Sequence, residues 1–402
     1  MRAVIILLFS LLTIRASAQT SWEQQASCPG SPRWGVVCFD IDGIGYMVSG
    51  RTGATDLDEL WAYDPLTDSW SERASLPGVR RVACAFTIAG KGYVVGGLYG
   101  SSSIRDDLWE YDPTSDTWTQ RTSLPGAPRY GTTAFVHNGI GYVLGGGTGG
   151  GNGPFISELW AYDPVMDEWS ARTPIPDQGR VGASSFTIGD VCYVFGGRQE
   201  DQSMSNELWA YDPGSDSWAV RTPLPGGGRH YARAYGVLDR GVILSGQSGT
   251  GSFADGWVYS PWSDSWLPIE DYPGAGGWSG AQFALNDRVF AGLGQTSGSS
   301  FTDLWELKEI PIGLSETTIQ HWIDVFPTVI SPGGTLNVRR PFELQQFEEM
   351  MLSDVQGRRV ALPLELVGPN TLRLPELAPG TYLLSFSNGQ RSTATARILI
   401  VP

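Results

Sequence analysis

Five arginines recur at nearly constant intervals: Arg33, Arg80, Arg129, Arg180 and Arg229. Each follows a Pro/Gly-rich turn, and an acidic residue precedes a Leu-Trp pair later in nearly every interval, at Glu59, Asp107, Glu158, Glu207 and Asp303. Cations gathered on loops at one face of a rigid scaffold suit a binding surface. The same cations paired with those acids would instead be structural, and exposed pairs contribute only about 0–1 kcal/mol each, so a ligand could compete for them. Other chemistries find less support. The three histidines, His137, His230 and His321, fall in a tight turn, at a strand start and in a linker. The glycine run GGGTGGGNG at 145–153 lacks the Gly-Lys-Ser/Thr ending of a phosphate loop.

The elements that would position these residues are legible as a repeat. A tryptophan recurs at Trp22, Trp70, Trp118, Trp169, Trp218 and Trp266, with spacings of 48, 48, 51, 49 and 48. Thirteen residues after each arginine stands Tyr46, Tyr93, Tyr142, Tyr193 or Val242, and a glycine-closed pair of small residues follows. Then comes an acid-Leu-Trp-x-Tyr-Asp-Pro run such as ELWAYDP. Alternating apolar runs bounded by tight turns give four antiparallel strands per unit. Asp-Pro followed shortly by Asp reads as the turn between the third and fourth strands. Six units radially arranged resolve the exposed sheet edges as a β-propeller, in which outer tryptophans fill the wedge between diverging blades. The Trp22 strand precedes any inner strand, and the chain after Trp305 lacks a fourth, so the N-terminal strand is expected to complete the sixth blade.

The Gly-Gly, Tyr and Trp spacing resembles the kelch repeat over about 290 residues. That resemblance implies an all-β, six-bladed propeller acting as a binding module for an extracellular protein or glycan. Kelch-type sugar mutarotases are the alternative it implies, with Glu200 or Asp201 and Arg198 as the acid–base candidates. Related copper oxidases need two histidines and two tyrosines on the metal, and no such set is suggested. No cofactor or metal is expected.

Arginine-to-tyrosine and Trp-to-Trp spacings are constant, so length varies almost only between the second and third strands of each unit. That loop lies at the same end of the propeller as the arginines. The longest, GTGGGNGPFISE, carries Phe155, and the second unit carries Tyr99. Exposed aromatics beside polar groups mark recognition surfaces. The expected binding site is therefore bounded by Tyr99, Phe155, Arg129, Arg180 and Arg229. Gly277 replaces the arginine in the sixth unit, leaving Asp303 without an equivalent partner in its own repeat.

Outside the repeat, residues 1–18 read as a secretory leader: Arg2, an apolar run of about a dozen residues, too short for a membrane span, and Ala16-Ser17-Ala18. Its removal takes two arginines and no acid, moving the net charge from −15 to −17. Such a chain is a poor partner for nucleic acid or anionic membranes, and no later segment is apolar enough to span a bilayer. Cys28, Cys38, Cys84 and Cys192 show no metal spacing and read as small strand residues. After the propeller (19–311) and a linker (312–322), residues 323–402 carry alternating strands that suit a small Ig-like sandwich. The motifs VFPT, DVQGRRV, LAPGTYLLSF and ARILIVP resemble the C-terminal sorting domain of type IX secretion cargo. That resemblance implies the type IX machinery as a partner and a secreted or cell-surface location.

Overall fold

The computed structural model describes residues 20–308 apart from 150 and 152, residue 310, and nine strands with residue 374 between 320 and 400. The expected leader and most of the linker lie outside the described residues. Contacts divide the chain into two units, one spanning Ser17–Ile312 and the other holding Gly313–Pro402.

The first unit is six four-stranded antiparallel sheets. Their inner strands are Val37–Ile41, Cys84–Ile88, Thr133–His137, Ser184–Ile188, Arg233–Val237 and Ala281–Leu285. Each inner strand touches the next and the last touches the first, which closes the ring. The sixth blade takes its outer strand from the N-terminus: Ser21–Gln25 pairs antiparallel with Leu304–Lys308, Trp22 opposite Leu307. The closure inferred from the repeat count is the one the structure has.

Alternation explains the packing. On the middle strands every residue after the first is buried, because the blade is covered on both faces. On the outer strands only the tryptophan side turns inward. Four blades stack the inner-strand Phe on the repeat Tyr at 5.1–5.2 Å, as in Phe39–Tyr46 and Phe186–Tyr193.

Neighbouring blades are latched by the Asp-Pro turn. Asp116 adopts a left-handed conformation, accepts from Tyr111 Oη at 2.7 Å, and accepts from the backbone N–H of Ala74 at 2.9 Å in the preceding blade. Trp118 donates to the carbonyl of that same Ala74 at 2.8 Å. The pattern repeats at Asp68/Trp70, Asp167/Trp169, Asp216/Trp218 and Asp264/Trp266. The residue two before tryptophan thus reappears for a stated reason: it holds the far side of the blade interface.

The second unit forms two sheets. Gly380–Ser387 and Thr393–Ile400 pair antiparallel, with Glu349–Asp354 on one side and Gln320–Trp322 and Val329–Ile330 parallel to Thr393–Ile400. Asp324–Phe326, Thr335–Arg339, Thr371–Arg373 and Glu365–Gly368 form the other. Strand Gln320–Trp322 takes in the last three residues assigned above to the linker.

Candidate functional site

The arginines are buried rather than presented at the loop face. Arg129, Arg180 and Arg229 are 1%, 1% and 0% exposed. Arg129 Nη2 lies 2.9 Å from Glu158, Arg180 Nη2 lies 2.6 Å from Asp177 and 3.4 Å from Glu207, and Arg229 Nη1 lies 2.5 Å from Asp255. The tryptophan two residues after each Leu-Trp acid donates to the same carboxylate, as Trp160 does to Glu158 at 3.0 Å and Trp257 to Asp255 at 2.7 Å. The arginine also donates to the carbonyl of the residue before the closing glycine, Arg180 to Gly196 at 3.1 Å and Arg229 to Ser245 at 3.0 Å. Arg33 Nη1 and Arg129 Nη1 are buried without a partner, whereas in blades two, four and five the guanidinium is a clasp between loop, carboxylate and middle strand. These pairs are buried on the cationic side, unlike the exposed pairs the sequence suggested, and leave no guanidinium surface for a ligand.

Phe155 departs from expectation as well. It is 6% exposed, because the long third loop folds back through a bridge between Gly147 and Phe155. Its ring packs with Val82, Tyr130 and Val181 beneath the Arg198 guanidinium, 5.1 Å away. Tyr99 is 44% exposed, as expected, but it stands at the tip of the second blade's hairpin with Arg105 5.3 Å over its ring. The mutarotase candidates are engaged elsewhere. Glu200 accepts from the Phe155 N–H at 2.5 Å. Asp201 accepts from Ser203, and those bonds hold its carboxyl below its ordinary value, away from the range a general acid needs.

What the structure gathers at the loop-face mouth of the axis is the residue after each arginine position: Trp34, Arg81, Tyr130, Val181, His230 and Trp278. Strand-like alternation turns the arginine outward into its clasp and its successor toward the axis. Trp34 and Trp278 lie 5.3 Å apart, His230 stacks on Trp278 at 6.3 Å and 8°, and Tyr231 lies 4.8 Å from His230. Arg81 sits 5.8 Å over Trp34 and is tied to Asp56 at 2.6 Å. These rings wall an aromatic basin.

Several polar atoms of this basin have no protein partner among the described residues, unlike the indole N–H groups of the repeat. The tryptophans of the repeat donate their indole N–H to a carboxylate or carbonyl. The indole nitrogens of Trp34 and Trp278 and the hydroxyls of Tyr130 and Tyr231 bond nothing among the described residues. Arg198 donates to the carbonyl of Gly151 and has no ion-pair partner among the described residues, and its Nε is buried and unbonded. His230 Nε2 meets Gln247 Oε1 at 3.1 Å, so the proton sits on Nε2 and leaves Nδ1 a buried, unpartnered acceptor. Burial pushes the His230 imidazole down to about 4, with the Arg198 charge adding to the effect, so the ring is neutral near pH 7. Of these atoms Arg198 Nε and His230 Nδ1 are buried without a partner; buried polar groups are ordinarily bonded, and such a pair is the feature a ligand would complete.

In the sequence His230 is a single histidine at a strand start, with nothing beside it that marks a basin. The signal that could have found the basin was variation: Trp, Arg, Tyr, Val, His and Trp succeed one another beside a neighbour that is arginine in five of the six units.

Comparison with known proteins agrees with this architecture. Residues 131–310 match the family model of the KLHDC2/KLHL20/DRC7 Kelch-repeats domain, and residues 83–125 match the Kelch motif. Kelch-like protein 23 of mouse is 29% identical over 182 residues, covering 44% of this chain and 32% of its own length, and the human protein is 28% identical over the same span. The chain therefore spans about a third of the length of these relatives. The solved structure of YjhT superposes with a TM-score of 0.63 at 19% identity, covering 70% of this chain and 95% of that one. The matched segments lie within the ring of six blades: residues 20–308 form a kelch-repeat β-propeller.

Proposed function

We propose that this propeller is an exported binding module whose loop-face basin holds the anionic end of an extracellular glycan or peptide. One observation carries the reading: nearly all the unpartnered groups that converge there can donate. Two indole N–H groups and the Arg198 Nε–H only donate, two phenol hydroxyls donate or accept, and His230 Nδ1 accepts. Such a set is complemented by an acceptor-rich group, above all a carboxylate. The charges agree, since Arg198 lacks an acid while Asp56 serves Arg81 and Arg51. The flat faces of Trp34 and Trp278 supply apolar area for the body of the ligand. The C-terminal unit, on its likeness to type IX cargo domains, would deliver the module to the cell exterior.

The test is a binding screen of the full chain against acidic and neutral glycans and acidic and amidated peptides. Binding of the acidic set, weakened at least about tenfold by Trp278→Ala or Arg198→Ala and untouched by Leu66→Ala on the opposite face, is the expected result. Equal binding of neutral counterparts would overturn the anion reading.

A further inference from the structure

The inference rests on the basin being the ligand site, and it concerns what lies beneath. Immediately after the basin residues, six backbone N–H groups bond in a closed circuit around the axis. Val82 donates to Gly35, Gly131 to Val82, Gly182 to Gly131, Tyr231 to Gly182, Ser279 to Tyr231, and Gly35 back to Ser279, at 2.6–3.2 Å. All six residues have φ between 46° and 68°. Glycine meets that demand without strain, and three of the six are glycine. A β-branched valine or a bulky tyrosine in this region is an outlier that invites a functional reason.

We propose that Tyr231 is the specificity-determining floor of the site: its ring closes the axis and fixes how deep a ligand can reach. The ring crosses Gly182, where a Cβ would lie 2.9 Å from it, and its hydroxyl reaches Gly131, where a Cβ would lie 2.7 Å away. One side chain thus spans from the fifth blade to the third, over positions kept bare for it. Val82 covers Gly35 on the other side, where a Cβ would lie 3.3 Å from its Cγ1. Beneath the floor is an axial cavity of about 140 Å³, bordered by Tyr231 and lined by small and polar residues including Cys38, Cys84, Thr132, Ser185 and Gln282. Thr132 Oγ1 is buried there without a partner. Without the tyrosine ring, basin and cavity are one shaft. With it, the site is blind, and the ligand must present a short terminal group.

Tyr231→Gly and Tyr231→Ser test this, because glycine and serine already occupy the circuit at Gly182 and Ser279, and Tyr231→Phe keeps the floor while removing the hydroxyl. The first readout needs no ligand: modification of Cys84 by methyl methanethiosulfonate in the folded full chain. At least about a tenfold faster reaction in the glycine and serine variants, with Tyr231→Phe like wild type, is expected. Equal rates in all four proteins would overturn the proposal. The second readout is affinity for linear alkanoates from acetate to octanoate. Wild type should gain with chain length no more than contact with the two indoles allows, whereas Tyr231→Gly should gain further, up to about fourfold per methylene until the shaft is full. A Tyr231→Gly protein that gains no more with length than wild type would refute the floor. Failure of every alkanoate to bind would count against the anion reading alone, and the thiol reaction would still decide the role of Tyr231.

Discussion

In blades one to five the clasp is local, the arginine and the acid it holds belonging to the same repeat, as Arg80 and Asp107 do at 2.7 Å. Blade six carries Gly277 where the arginine would stand, and its middle strand is held from outside. Arg233 of the fifth blade, 1% exposed, reaches across to the carbonyls of Gly276, Gly292 and Leu293 at 2.8–3.0 Å and lies 4.8 Å over Tyr272. Leu293 occupies the place that Gly196 and Ser245 hold in blades four and five. Asp303 is left with Trp305 and a long contact from Tyr272, and its Oδ1 is buried and unbonded. The difference shows what the clasp is for. In blades two, four and five the arginine serves both the backbone carbonyl and the acid; in blade six a guanidinium from the neighbouring blade serves the carbonyl, and the ion pair is the part that is dropped.

The seam between blades six and one to five is also where the chain ends meet, and cutting it should have the largest effect. Deletion of residues 19–28 removes the strand paired with Leu304–Lys308 and the Lys308–Glu23 contact at 2.8 Å, exposing an edge and the apolar face beneath it. A loss of several kcal/mol, at roughly 2–4 °C per kcal/mol, puts the expected drop in melting temperature on the order of 10 °C or more by calorimetry. An unchanged transition would mean that the sixth blade does not depend on its borrowed strand.

The next test sets the borrowed clasp against a local one. Arg233→Ala strips donors from the three carbonyls above, from Ala281 and from the Ser245 hydroxyl, all buried. Unsatisfied buried groups cost about 1–3 kcal/mol each, so destabilisation of about 3 kcal/mol or more is expected in urea unfolding. Arg129→Ala leaves Glu158, whose side chain is 50% exposed, able to turn to water, and should cost less. If Arg129→Ala proves the worse of the two, the sixth blade is not held in the way its hydrogen bonds indicate.

How much of this was legible follows from the same contrast. Whatever all the blades need was written six times, with substitutions, and could be counted: the Trp and Tyr spacing, the Asp-Pro turn, the strand missing at one end and surplus at the other. Whatever one blade does alone left no period to detect. Arg233 is a single arginine in an inner strand, and nothing in its neighbours announces that it serves Gly277's blade. The proposed basin was hidden for a related reason. The arginine recurs in five of the six repeats as a buried structural side chain, while the proposed basin is built from the varying position beside it. Phe155 could not be placed from its loop because its burial depends on Val181 and Arg198, which belong to the following repeat.

Acid should find the next weakest difference among blades. At the inward third-strand position four blades have Ala or Val, while blades two and six have Glu110 and Glu306, 4% and 2% exposed. Burial alone would raise both carboxyls. Bonds from Arg121, Lys91 and Tyr93 to Glu110, and from Arg288 and Lys308 to Glu306, outweigh it, and both end below their ordinary value of 4.5. A carboxyl depressed in the folded state contributes stability that is present above the unfolded value and lost as pH falls through the folded one. Stability should therefore decline from about pH 5 toward pH 3, and Glu110→Gln should make that decline shallower in chemical denaturation at stepped pH. A parallel decline in both proteins would clear Glu110 of any part in it.

The smallest expected effect compares the latch in its full and reduced forms. Five blades use an aspartate two residues before the outer tryptophan, held in a turn that opens with Asp-Pro in four of them and with Ser260-Pro261 in the fifth. Blade six has no such turn, because its outer strand arrives from the N-terminus, and Thr20 stands at that offset, accepting from the Glu270 N–H at 2.9 Å. Trp22 Nε1 reaches the Glu270 carbonyl at 3.4 Å, against 2.8 Å for Trp118 and Ala74. The tyrosine that elsewhere bonds the aspartate is Leu307 here, as it should be where no carboxylate waits for a phenol. A bond at 2.8 Å is well formed and one at 3.4 Å is weak, so removing each indole N–H while keeping an aromatic ring should separate them. Trp118→Phe should cost about 1 kcal/mol more than ring shrinkage alone, and Trp22→Phe little beyond that shrinkage. Equal losses would show that the reduced latch is as strong as the full one, and that the aspartate contributes to the turn rather than to the grip between blades.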